Sequence, residues 1–91
     1  MLRNYDDPLY KQWRKDVYKR DKFQCRWPNC NCKKKLNAHH IRRWADFPHL
    51  RFDINNGITL CKAHHDLIKG MEDIYSSSFF MILHQDKKDK K

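Results

Sequence analysis

The chain has 91 residues and a mass of 11.3 kDa, room for one small domain, and a chain of this size buries only about 60% of the surface its unfolded form exposes. Only 40% of the residues are apolar, so a metal or disulfides should help the hydrophobic core hold the fold. Twenty Lys and Arg against 11 Asp and Glu give +9, which favours a polyanionic partner, nucleic acid first, while the apolar run 79–83 is far short of the about 20 residues that cross a bilayer, so no membrane partner is expected.

The opening MLRNYDDPLY contains no apolar leader, so reduced thiols and a cytoplasmic location are expected. Asp7-Pro8 reads as a helix start, with Asp7 as N-cap and Pro8 where its missing N–H costs nothing. Leu9, Trp13 and Val17 then recur every four residues beside Tyr10 and Tyr18, which predicts an amphipathic helix to Arg20. Its other face carries Lys11, Arg14, Lys15, Lys19 and Arg20, either solvated or laid along a phosphate backbone.

Residues 23–32 read as a loop or knuckle, and Lys33, Lys34 and Lys35 as a tight turn tip or a phosphate contact. A short strand is expected over 36–41 and an ordered loop over 42–52. Asn55-Asn56-Gly57 is a turn signal because Asn and Gly tolerate positive φ, and 58–60 makes a second strand. Residues 62–69 form a helix closed by Gly70 at its C′ position. The spacing of Met71, Ile74, Tyr75, Ser78, Phe79, Ile82 and Leu83 predicts a terminal helix, followed over 85–91 by a charged, disordered tail. Trp13, Trp27, Trp44, Phe79 and Phe80 are expected as core and loop anchors.

Four cysteines allow three pairings as two disulfides, but each has histidines near it in sequence. Cys25, Cys30 and Cys32 precede His39 and His40, and Cys61 precedes His64 and His65. Zinc takes four soft or borderline ligands, usually as two close pairs from separate segments. Cys25 with Cys30 and Cys61 with His64 meet that need; Cys32 stands as the alternative to Cys30, which is favoured because Pro28 in the RWPN spacer can turn the chain around an ion. A C2H2 finger fails, because about twelve residues past the second cysteine stand Arg42 and Arg43, or Ala45. On a helix Cys61 and His64 share a face, whereas His65 is turned by about 100°. One histidine can therefore serve a structural ion while its neighbour points into a different site.

The pieces RDKFQC, LNAHHI and DINNGITLCKAHH, in that order across 13–72, resemble the HNH endonuclease family. The resemblance implies an α+β fold: a single domain over 1–84, a small zinc-stabilised ββα-metal core with an N-terminal and a C-terminal helix flanking it. It also implies His40 as general base, His39 and His65 as ligands of a catalytic divalent ion (Mg2+, Mn2+, Ni2+ or Zn2+), and Asn56 as the residue that orients the base. Many relatives have Cys-x-x-Cys followed by His where this chain reads Cys61-Lys62-Ala63-His64-His65, a substitution zinc accepts.

The chemistry of the side chains agrees with that division. Water attacking a phosphodiester must lose a proton near neutral pH, and imidazole has the closest unperturbed pKa. A divalent ion stabilises the charge that builds on the leaving 3′ oxygen. The implied activity is hydrolysis of DNA to 5′-phosphate and 3′-hydroxyl ends, by a monomer or weak dimer serving homing, restriction or a larger phage or DNA-processing assembly. Arg42, Arg43, Arg51, Lys33, Lys34 and Lys35 are the candidate DNA contacts. Turn chemistry alone would explain Asn56, and His49, His84 and Glu72 read as ordinary surface residues. The rival reading is a non-catalytic, zinc-dependent nucleic-acid-binding module. One conflict is internal: neighbours on a strand face opposite ways, which separates His39 from His40.

Overall fold

In the computed structural model, which describes residues 6–89 and side chains as far as residue 84, the first helix begins where the sequence places it. The Asp7 carboxylate accepts the Leu9 N–H at 2.9 Å, and α1 (Pro8–Arg20) runs from there to Arg20. Its buried stripe is Tyr10, Trp13 and Val17, while Leu9 is 60% exposed. The inward face is thus displaced by one residue at its start, and Tyr10 takes the place expected for Leu9.

Strands β1 (Leu36–His40) and β2 (Gly57–Cys61) form an antiparallel pair in which His40 faces Gly57, His39 faces Ile58 and Asn37 faces Leu60. The short α2 (Lys62–Leu67) follows β2 directly. The helix stops at Leu67 with Ile68 as its C-cap, two residues short of the expected end, so Gly70, at φ +82°, lies in the turn beyond it and not at its C′ position, and α3 (Glu72–Asp89) completes the chain. The backbone of α3 is helical to Asp89, past the boundary that the sequence suggests at residue 84. Residues 1–5 and 90–91 lie outside the described residues, as do the side chains of 85–91 to which the expected tail belongs.

Each face of the two-stranded sheet has its own core. Tyr10, Trp13 and Val17 of α1 pack with Ala38 and Trp44 on one side. On the other, Ile41, Ile58, Leu60, Ile68, Phe79 and Leu83 gather around Cys25 and Cys61, with Trp27 and Phe80 packed against them. The aromatic residues expected as anchors therefore act as anchors. Among the described residues, no helix is long and apolar enough to cross a membrane.

A two-stranded sheet leaves unpaired edges, and the outer edge of β2 is closed by charge. The fully buried Asp21 carboxylate accepts the Thr59 N–H at 2.9 Å, and the Arg26 N–H donates to the Thr59 carbonyl at 2.9 Å. Arg20 donates to the Gly57 carbonyl at 2.6 Å and to the Ile54 carbonyl at 2.7 Å. Arg20 and Arg26 both pair with Asp21, at 2.8 and 2.5 Å. Arg20, read from sequence as part of an outward basic face, is instead a cross-link between α1 and β2.

Candidate functional site

The candidate metal centre is built from three segments. Cys25 and Cys30 stand on the loop after α1, Cys61 ends β2, and His64 lies one turn into α2; their ligand atoms all lie within 4.8 Å of one another. The loop turns at Trp27–Cys30, where the Cys30 N–H donates to the Trp27 carbonyl at 2.9 Å and Asn29 takes φ +65°. Pro at the second position and a left-handed Asn at the third are the residues such a turn asks for. Cys30, not Cys32, enters the group. Cys32 is exposed, its thiol 3.6 Å from the Lys34 carbonyl, and its own carbonyl accepts the Cys25 N–H at 2.8 Å.

His64 offers Nδ1, 3.3 Å from Cys61 Sγ and 3.6 Å from Cys25 Sγ, and Trp27 lies flat on its ring at 4.6 Å with planes 4° apart. Burial pushes the Cys25 thiol up to about 11, so a cation bound there must displace its proton. Three thiols and an imidazole in a compact group can hold a metal such as zinc.

The second histidine pair is separate. His39 of β1 and His65 of α2 meet edge to face, ring centroids 5.6 Å apart at 71°, with Phe79 edge-on to His39 at 5.7 Å. Burial, reinforced by Lys69, lowers the His65 pKa and favours its neutral ring. Among the described residues no third Cys, His, Asp or Glu joins them in a cluster of the kind formed around Cys25. Glu72 is half-buried rather than exposed, and its carboxylate accepts the Gly70 N–H at 3.3 Å.

Strand alternation separates His40 from that pair. His40 faces α1, stacked on Trp13 at 3.9 Å with planes 8° apart and edge-on to Trp44 at 5.4 Å. Its Nε2–H donates to the Arg51 carbonyl at 2.8 Å, so Nδ1 is the nitrogen that carries the lone pair whenever the ring is neutral. His39 and His40 are each only 6% exposed.

Asn56 does not hydrogen-bond to the His40 ring, contrary to the role the resemblance implies in its simplest form. Its Oδ1 accepts the Arg42 N–H at 2.8 Å, and its Nδ2 donates to the carbonyls of Arg42 and Leu50, each at 3.2 Å. Its backbone is not left-handed, and neither is that of Gly57, at φ −129°. Instead of a positive-φ turn, a single 3-10 turn over Ile54–Asn56 leads into β2.

The candidate DNA contacts fall into distinct environments. Lys33, Lys34 and Lys35 are exposed, and Lys35, at φ +51°, makes the turn into β1. Arg43 is committed to Asp46 at 2.7 Å and to Asp73 at 3.6 Å. Arg51 donates Nε to the Trp44 carbonyl at 2.8 Å and lies over the Trp44 ring. The Arg42 guanidinium lies between the Phe47 and Phe80 rings, 5.7 and 5.4 Å from their centroids, and makes no ion pair or side-chain hydrogen bond among the described residues.

Two residues of consequence escape a reading of the sequence. Asp21 follows a helix and looks like any surface acid, and Trp13 looks like one more core aromatic. The only sequence sign of the Trp13 contact is a glycine facing a histidine across two short strands. No protein-family model matches the chain, and no curated protein or solved structure matches it either.

Proposed function

We propose that this protein is a metal-dependent DNA endonuclease of the HNH type, built on a structural zinc held by Cys25, Cys30, Cys61 and His64. The observation that carries the reading is the His39–His65 pair: two imidazoles from β1 and α2 with ring centroids 5.6 Å apart, immediately next in sequence to a third histidine whose Nε2 is tied to a carbonyl. His39 and His65 would hold a divalent cation, which would supply positive charge beside the scissile phosphate and its leaving oxygen.

The remaining work belongs to the chain. His40 takes the proton of the attacking water on Nδ1, the nitrogen opposite the Arg51 hydrogen bond. It is the last residue of β1, so a phosphate lying across that strand end meets both faces of the strand. Arg42 and the lysines at 33–35 hold the DNA backbone, and the charge of +9 draws it in. One site hydrolyses one strand, so the isolated protein nicks.

The test is conversion of supercoiled plasmid to open circle with Mg2+, Mn2+ or Ni2+. Wild type nicks in at least one of these, while His40→Ala and His39→Ala do not. A second reading, a zinc-stabilised module that binds nucleic acid without cutting it, is favoured by the near-complete burial of His39 and His40. Salt-sensitive binding without nicking under any of the three ions selects it.

A further inference from the structure

We infer that Trp13 is a positioning residue for His40, seated in a slot that Gly57 keeps open. The inference rests on the nuclease reading for its consequence but not for its geometry. A histidine on a strand keeps a broad, roughly two-fold freedom about χ2, and one hydrogen bond at Nε2 fixes only the far end of the ring. The plane is fixed by the indole, which lies parallel to the imidazole at 3.9 Å. The indole is itself anchored, because its Nε1–H donates to the Asp53 carbonyl at 2.8 Å. Trp44 closes the side edge-on.

Gly57 explains how an indole comes so close to the sheet. It is the cross-strand partner of His40, and a Cβ there would lie 2.7 Å from Trp13 Cζ2 and 2.5 Å from Val17 Cγ2. Its extended φ of −129° is open to any residue. The glycine is therefore needed for the space it leaves, and that space holds the ring that orients His40. With plane and far end both fixed, Nδ1 has one direction in which to take a proton, and misplacing a reacting group by about 1 Å can cost on the order of 100-fold in rate.

The experiment compares full-length, zinc-loaded wild type with Trp13→Phe, which keeps an aromatic face, and Trp13→Leu, which does not. Two readouts are taken. In proton–carbon spectra, the His40 ring protons of wild type and Trp13→Phe lie upfield of those of the exposed His84, and in Trp13→Leu they return toward His84. In nicking assays Trp13→Leu loses about 10- to 100-fold in kcat with KM nearly unchanged, and Trp13→Phe recovers most of it. A wild-type His40 signal without an upfield shift, or full kcat in Trp13→Leu, overturns the inference. If wild type nicks with no metal, the nuclease reading falls and the ring shifts alone decide the positioning. If Trp13→Leu does not fold, the wild-type shift and the Trp13→Phe pair decide it.

Discussion

Asn56 and His40 donate hydrogen bonds to consecutive carbonyls, those of Leu50 and Arg51. The same Asn56 side chain grips both the N–H and the carbonyl of Arg42, so one amide clips the loop over 42–50 at both ends and sets the carbonyl that holds the His40 ring. Asn56 thus acts on His40 at one remove. Asn56→Asp separates this role from turn chemistry, since Asp suits a turn equally well but cannot donate to the two carbonyls. The expected result is a loss of about 1–3 kcal/mol in unfolding free energy together with reduced nicking. Unchanged stability and rate would return Asn56 to an ordinary turn residue.

Asp21 should be among the residues most sensitive to change. Its carboxylate is fully buried and answers Arg20, Arg26 and the Thr59 N–H together. Removing this anion takes a buried ionic partner from two half-buried guanidinium groups at once, and breaking a buried pair typically costs about 3–5 kcal/mol. Asp21→Asn keeps the shape and loses the charge, and thermal unfolding of the zinc-loaded protein should show the full penalty. An effect no larger than that of exposed Asp73→Asn would mean that the network adds little.

Much of this was legible in the sequence because the signals are local. Asp7-Pro8 fixes the start of α1, and the Cys/His spacing selects Cys25, Cys61 and His64, with Pro28 favouring Cys30 over Cys32 as the fourth. What was not legible depends on contacts between distant segments. Asn55-Asn56-Gly57 carries the composition of a positive-φ turn, yet Gly57 is extended and serves to admit Trp13. Arg20 continues a basic helix face in sequence, yet its partners are a buried acid and carbonyls 34 and 37 residues away. Cys30 and Cys32 are equivalent by spacing and are separated by a left-handed Asn29 that turns the first toward Cys61 and His64.

The metal cluster makes a prediction about removal. Cys61→Ser takes out a buried ligand and should abolish stoichiometric zinc, with loss of helical content and of the cooperative melt. Cys32→Ser should retain one equivalent, because that thiol is exposed and outside the cluster. Binding releases thiol protons, so a chelator strips the metal more readily as pH falls. His40→Ala should keep the zinc and most of the stability. Metal content by mass spectrometry separates these cases, and loss of zinc in Cys32→Ser would mean that the wrong cysteine has been assigned.

Arg42 and Arg43 are neighbours with opposite prospects as DNA contacts. Arg43 is 54% exposed, but its guanidinium is already answered by Asp46 and Asp73. Binding a phosphate there means breaking ion pairs first. Arg42 is held between two phenyl faces, an arrangement worth about 0.5–1 kcal/mol at a partly exposed site, which orients the planar group without using its N–H donors. A phosphate approaching it would find its geometry set and, among the described residues, no ion pair to displace. Each phosphate contact contributes about 0.9 to the slope of log K against log salt. Arg42→Ala should flatten that slope by close to one and weaken binding to all duplex sequences alike, whereas Arg43→Ala should change it little. Binding titrations at several salt concentrations distinguish the two, and equal slopes for both variants would remove Arg42 from the interface.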